Sequence, residues 1–137
     1  MGRIYVAVDL ETTGLDPNKD TIIELGAVRF RDGEVLEKFS QVVNPGRRIP
    51  QNIQQLTGIS QAEADRAPSL SSVANAFRKF IGEHPLVGHN VSFDTAFLES
   101  HNLYRFNQKV DTWELAVILM PGLPSYKLGR IAAELGI

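Results

Sequence analysis

Alternating apolar positions along the first forty residues indicate β-strands. Residues 4–10 (IYVAVDL) are apolar on both alternating sets. This pattern is typical of a strand covered on both faces, so we expect it at the centre of the sheet. β-rich runs follow at residues 21–30 and 35–43 and meet at Asp32-Gly33. Both residues of that dipeptide tolerate positive φ, so it suits a tight hairpin turn, and the pattern predicts three antiparallel strands.

After Asn44-Pro45-Gly46 the apolar spacing becomes helical. Ser60 and Glu63 form a capping-box pattern, and Ser69 precedes an amphipathic run that ends at Gly82. Short apolar strands are predicted at residues 86–90 and near residue 110, with Ser92 expected to cap the helix between them. Two further helices are predicted at 112–120 and 125–135. This order predicts an α/β fold, a mixed sheet with flanking helices.

Length and composition limit the class of protein. The 137 residues, 43% hydrophobic, leave room for a single domain spanning residues 1–137. Cysteine is absent, which excludes disulfides and thiolate metal sites. No apolar run approaches the length of a membrane span, and we expect a cytoplasmic protein without membrane contact. The net charge of −2 gives no bulk attraction to nucleic acid, so any phosphate partner must be held locally.

Two carboxylates at the end of the predicted central strand are the first candidate site. Asp9 and Glu11 are two residues apart, so they share a face of the strand at about 7 Å between Cα atoms. Two unpaired anions in this position would repel each other, and a divalent cation relieves that repulsion. Mg²⁺ prefers such oxygen ligands. The alternative is a strand end whose acids are simply solvated.

Asp94 is the second candidate. It lies in GHNVSFD (residues 88–94), in the first turn of a predicted helix, where the helix dipole favours a carboxylate. Asp94 taken alone is more typical of an ordinary helix start than of a metal ligand. The case for a site therefore depends on its combination with the acids of the first strand.

Five segments stand out along the chain: VDLETTG at 8–14, LTGI at 56–59, GHNVSFD at 88–94, VDTWELA at 110–116 and YKLGRIAAELGI at 126–137. Together they resemble the DnaQ-like (DEDDh) 3′–5′ exonucleases, especially the bacterial proofreading type and the exonuclease domains of larger helicases or polymerases. The resemblance spans the chain in the family's order. The resemblance implies a ribonuclease-H-like fold and removal of nucleotides from the 3′ ends of DNA.

The resemblance also implies roles for particular residues. Asp9, Glu11 and Asp94 would be catalytic and would hold two Mg²⁺ or Mn²⁺ ions. Such ions can activate the attacking water and stabilise the leaving oxygen. The implied contacts to the terminal nucleotides of a single-stranded or frayed 3′ end are Thr12, Thr13, Leu15, Leu56, Asn90 and Phe93. Ordinary packing remains the alternative for Leu15, Leu56 and Phe93. The resemblance further implies a polymerase or helicase as partner, in trans or in the same longer chain.

The chain departs from the family pattern at its third motif, a histidine followed five residues later by an aspartate after a segment like LGRIAAELGI. That segment here occupies residues 128–137, and the pair His89 and Asp94, which has this spacing, lies in the second motif. We therefore expect the third motif and its helix to be lacking. We further expect weak nuclease activity and a partly uncovered face beside Asp9. The three histidines are interpreted as structural or exposed.

Two other functions stay open. One is a catalytically silent module that binds or docks nucleic acid, and the other is a ribonuclease acting on short RNA. Asp111 is interpreted as a cap for the amides of Trp113 and Glu114 and is left out of the site.

Overall fold

The computed structural model describes residues 2–137 and contains a five-stranded mixed sheet. Its strands are β1 (Tyr5–Thr12), β2 (Ile22–Arg31), β3 (Glu34–Val42), β4 (Leu86–Gly88) and β5 (Lys109–Asp111). Their order is β3-β2-β1-β4-β5. The first three strands are antiparallel, whereas β4 and β5 run parallel to β1. The predicted α/β class, the central position of β1 and the three antiparallel strands are confirmed.

Six helices lie along the described chain. They are α1 (Gln51–Thr57), α2 (Gln61–Asp65), α3 (Leu70–Ile81), α4 (Val91–Ser100), α5 (Thr112–Leu119) and α6 (Leu128–Glu134). Within residues 2–137, no helix has the length and hydropathy needed to cross a membrane.

Local sequence signals account for several boundaries. Asp32 and Gly33 both have positive φ, 51° and 80°, as the predicted hairpin requires. Ser60 accepts a hydrogen bond from the backbone N–H of Glu63 at 3.1 Å and caps α2. Ser69 caps α3 in the same way. These predictions are confirmed.

The main core lies between one face of the sheet and the helices α3 and α4. The even-numbered residues of β1 are buried in it, together with Leu25, Phe77, Phe97 and Leu98. The odd-numbered face is different, because Tyr5 and Ala7 are half-buried and Asp9 is exposed. The prediction that β1 is covered on both faces is therefore wrong for this face. The expectation of a partly uncovered surface beside Asp9 is confirmed.

Several boundaries differ from the predictions by two or three residues. β1 continues to Thr12, with a register shift between Glu11 and Thr12, so both acids lie within the strand rather than at its end. The strand predicted at 86–90 ends at residue 88, and α6 begins at Leu128 rather than at 125. The reason is that hydrogen bonding to neighbouring strands, which local spacing does not reveal, decides where a strand ends.

Ser92 does not cap α4. The N-cap residue is Asn90, which has a left-handed backbone with φ 61° and makes no side-chain cap bond. The Asn90 and Val91 amides donate instead to the carboxylate of Asp111. A distant side chain thus replaces the local cap that the sequence predicts.

Candidate active site

The strand register places three acids on one face of the sheet. In the antiparallel pairing of β1 with β2, Glu11 lies opposite Glu24, and Asp9 lies opposite Gly26. Residues directly opposite each other share a face, so Glu24 joins Asp9 and Glu11. Burial raises the pKa of Glu11, and the charges of Asp9 and Glu24 raise it further. The face therefore concentrates negative charge.

Asp94 approaches this group from another element. It lies in the first turn of α4, where Asp94 is only 6% exposed. Burial and then the charge of Asp9 raise the pKa of Asp94 to about 7, with smaller contributions from Glu11 and Asp111. A hydrogen bond from the backbone of Leu10 acts in the opposite direction. The carboxyl of Asp94 is thus held against β1 beside Asp9, as the sequence analysis expects of the two motifs.

Asp9 and Asp94 line one groove of about 450 Å³ on the half-buried face of the sheet. Its other walls are mainly apolar and include Ala7, Val28, Phe39, Val87 and Leu128. Within residues 2–137, no set of three His, Asp or Glu side chains stands close enough to hold a metal ion. Mg²⁺ typically uses one or two carboxylates and completes its coordination with water or phosphate oxygens. The donors present therefore fit an ion that the substrate helps to coordinate.

Side-chain hydrogen bonds within the turn after β1 hold its conformation. Thr12 Oγ1 donates to the carbonyl oxygen of Gly14 at 2.6 Å. Thr13 Oγ1 donates to Asp20 at 3.2 Å, and the other carboxylate oxygen of Asp20 accepts from the Asp16 amide at 3.1 Å. Both threonines are buried. Their hydroxyls are thus engaged in the turn, and the Thr13 amide donates to the Thr21 carbonyl oxygen at 2.8 Å. These groups therefore hold the turn itself.

The remaining predicted contact residues differ in exposure. Leu15 is 83% exposed on the turn after β1, and Leu56 is 81% exposed on α1, so both side chains are free to meet a ligand. Asn90 is exposed at the start of α4. Phe93 is half-buried and packs at a tilt on Phe97, with 5.1 Å between ring centroids. Packing against Phe97 therefore accounts for the buried side of the Phe93 ring.

Three residues at the site were missed or misjudged by sequence reasoning. Glu24 and Gly26 meet the acids only through the register of β1 with β2, which the hydrophobic pattern does not specify. Asp111 accepts from the Trp113 amide as predicted, but it has no bond to the Glu114 amide. The same carboxylate also binds the start of α4. The sequence signal for Glu24 is weak: it is a single acid in an otherwise apolar stretch (IIEL) of a predicted strand.

Two of the three histidines, His89 and His101, have hydrogen-bonding partners for their side chains. His89 Nε2 donates to the carbonyl oxygen of Tyr126 at 2.6 Å, and its Nδ1 lies 2.9 Å from Thr112 Oγ1. His101 Nε2 lies 3.4 Å from Thr21 Oγ1, and burial lowers the pKa of His101, as does the charge of Arg47. These contacts agree with the structural interpretation of both residues.

Comparison with known proteins identifies a family and relatives of this chain. Residues 6–137 match the exonuclease family RNase_T. The PolC-type DNA polymerase III of Clostridium perfringens is 41% identical over 138 residues, covering 97% of this chain and 10% of that protein. The DNA polymerase III subunit epsilon of Aquifex aeolicus is 39% identical over 137 residues, covering 96% of this chain and 68% of that protein.

A solved structure of exonuclease X in complex with 5′-overhanging duplex DNA has the same fold. It superimposes with a TM-score of 0.79 at 25% identity, covering 97% of this chain and 74% of that chain. The likeness confirms the ribonuclease-H-like fold expected from the sequence. The chain spans about a tenth of the PolC-type relative and about two thirds of the epsilon subunit.

Proposed function

The chain belongs to the exonuclease family, and from that membership we propose that it hydrolyses the terminal phosphodiester at the 3′ ends of DNA. The observation that carries the proposal is the convergence of Asp9 and Asp94 on one groove. Glu11 lies on the same face of β1 as Asp9. The charge of Asp9 raises the pKa of both Asp94 and Glu11. Acids that converge in this way are unfavourable unless something compensates their charge.

Divalent cations, Mg²⁺ or Mn²⁺, suit the chemistry of these carboxylates, and Asp9, Glu11 and Asp94 would hold two such ions. Within the described chain these three side chains do not form a complete cage by themselves, so substrate oxygens and water would supply the remaining ligands. Carboxylate oxygens are the ligands that such hard ions prefer. Bound ions would supply positive charge to the scissile phosphate and increase the acidity of the attacking water. The role of the protein is to hold these carboxylates close together on a rigid sheet.

The predicted contact residues suit a single-stranded 3′ end. Leu15 and Leu56 offer apolar side chains to the terminal bases, and Phe93 adds an aromatic edge. Apolar and aromatic surfaces bind bases without reading their sequence. Asn90 and residues 12–13 would contact the last nucleotide. These residues would therefore bind the 3′ end of any sequence, as a proofreading or repair nuclease requires.

A larger assembly is the proposed setting of the domain. The PolC-type relative is a polymerase of which this chain matches 10%, and the epsilon relative is a polymerase subunit. We propose that the domain acts beside a polymerase or helicase, in the same chain or in trans. Its substrate would then place it in the cytoplasm with the replicating DNA.

The test uses a single-stranded DNA oligomer labelled at its 5′ end. With Mn²⁺ or Mg²⁺, the wild type at high enzyme concentration should slowly produce a ladder that shortens from the 3′ end, and EDTA should stop it. Asp9→Asn and Glu11→Gln should abolish the ladder and weaken Mn²⁺ binding in calorimetry. Glu34→Gln is the control, because Glu34 is an exposed strand glutamate on β3.

Equal Mn²⁺ binding by the wild type and Asp9→Asn would contradict the proposed site. Binding of DNA and Mn²⁺ without release of nucleotides would favour the silent binding module. Faster cleavage of a matched RNA oligomer would favour the ribonuclease.

A further inference from the structure

Asp111 joins two helices through one carboxylate. It is the last residue of β5 and the N-cap of α5, where Oδ1 accepts from the Trp113 amide at 2.9 Å. The same Oδ1 accepts from the Asn90 amide at 3.0 Å, and Oδ2 accepts from the Val91 amide at 3.1 Å. Two of these three donors belong to the start of α4. Asp111 therefore does for α4 what a local cap would normally do.

The start of α4 needs this support. Asn90 has a left-handed backbone, with φ 61° and ψ 52°, and its side chain makes no cap bond. Non-glycine residues adopt this conformation rarely, and it persists where the surroundings hold it. The two bonds from Asp111 hold the amides of Asn90 and Val91. Asp94 lies three residues after Val91, in the first turn of the same helix.

Thr112 extends the contact between the two segments. Its Oγ1 donates to the carbonyl oxygen of Gly88 at 3.2 Å and lies 2.9 Å from His89 Nδ1. Asp111 and Thr112 together thus contact four consecutive residues, 88–91, between β4 and α4. The turn that leads to Asp94 is held along its whole length by these two residues.

We propose that Asp111 is a positioning residue of the active site: its carboxylate fixes the start of α4 and so holds Asp94 against Asp9. This inference rests on the proposed function, because it assumes that Asp94 helps to bind a divalent cation. Asp111 acts through the backbone of α4. Residues that orient the ligands of a metal site are worth about 10- to 100-fold in metal affinity or activity.

The experiment compares Mn²⁺ binding by the wild type, Asp111→Ala and Asp111→Asn, using calorimetry on the full chain. Asp111→Ala should weaken binding at least about tenfold, and Asp111→Asn, which keeps one acceptor oxygen, should fall between. Ser69→Ala is the control, because it removes a cap from α3, where Ser69 accepts from Ser72. It should keep wild-type binding.

Hydrogen exchange of individual amides gives a second measurement. In Asp111→Asn the amides of Asn90 and Val91 should exchange faster than in the wild type, while those of α3 should not change. This measurement tests the positioning role of Asp111 even if Asp111→Ala does not fold. Unchanged exchange at both amides would overturn the inference.

The outcomes separate this inference from the proposed function. A wild type that binds no Mn²⁺ contradicts the proposed metal site, and this inference falls with it. A wild type that binds Mn²⁺ while Asp111→Ala binds it equally well overturns only the role of Asp111. Equal weakening in Ser69→Ala also overturns that role, because loss of any cap would then suffice.

Discussion

Gly26 lies directly opposite Asp9 across β1 and β2, and a Cβ at position 26 would stand 2.9 Å from the carbonyl oxygen of Asp9. That distance is shorter than real Cβ contacts, and the neighbouring atom belongs to the backbone. A side chain at Gly26 would therefore push the strand that carries Asp9. The glycine permits the close approach of the two strands beneath the acid.

Gly26→Ala should consequently weaken Mn²⁺ binding and lower the free energy of unfolding by about 1–3 kcal/mol, the usual cost of overpacking. Calorimetry and urea unfolding measure the two effects. Gly129→Ala is the matched control, because a Cβ at Gly129 in α6 meets no atom within 4 Å. The control should keep the metal affinity and gain up to about 1 kcal/mol of stability. Wild-type Mn²⁺ affinity in Gly26→Ala would contradict the prediction.

Asp94 should make the metal-free protein less stable at high pH. Burial, and to a smaller extent the charge of Asp9, raise the pKa of Asp94 from 3.8 to about 7. The fold therefore disfavours the ionised carboxylate. The protonated carboxyl of Asp94 stabilises the fold. This stabilisation is complete below the pKa of Asp94 in the unfolded chain and is lost as the pH rises through about 7.

In EDTA at pH 8, Asp94→Asn should therefore unfold at a higher urea concentration than the wild type, by a few kcal/mol in free energy. The difference should shrink towards zero as the pH is lowered to 4. Asp65→Asn serves as the control, since Asp65 is exposed on α2. A pH-independent difference for Asp94→Asn would show that its charge is not the cause.

Leu15 and Leu56 should contribute to DNA binding and not to stability. Each is more than 80% exposed, so truncation to alanine should change the free energy of unfolding by less than about 0.5 kcal/mol. Loss of one apolar contact with a base should weaken binding of single-stranded DNA about fivefold, equivalent to about 1 kcal/mol. Fluorescence anisotropy measures this change. Ile118→Ala on α5, with Ile118 73% exposed, should bind like the wild type. Equal losses in all three variants would contradict the specific role of the leucines.

Asp20 should keep the turn after β1 ordered. Its carboxylate accepts from Thr13 Oγ1 and the Asp16 amide, and it lies so close to Gly14 that a Cβ at position 14 would collide with it. Asp20→Ala should increase amide exchange at Asp16 and weaken DNA binding through Leu15, whose backbone lies in this turn. Asp20→Asn, which keeps one acceptor oxygen, should have a smaller effect. Unchanged exchange at Asp16 would mean that other contacts hold the turn.

The sequence by itself determined the features that depend on neighbouring residues. The hairpin at Asp32-Gly33 depends on backbone preference, and the cap at Ser69 depends on one hydrogen bond three residues away. The shared face of Asp9 and Glu11 follows from the two-residue repeat of a strand. The family and the acids of its motifs were also readable, because motif spacing along the chain is a property of the sequence.

Only the tertiary structure decided which distant groups meet. Glu24 reaches Glu11 through the register of two strands, and Asp111 reaches Asn90 across 21 residues of chain. The raised pKa of Asp94 depends on how deeply α4 buries it and on how close Asp9 lies. The half-buried face of β1 likewise depends on which elements pack against it, whereas the apolar pattern records only that the face can be covered. Register, burial and long-range hydrogen bonds arise from packing of the whole chain, so local patterns do not specify them.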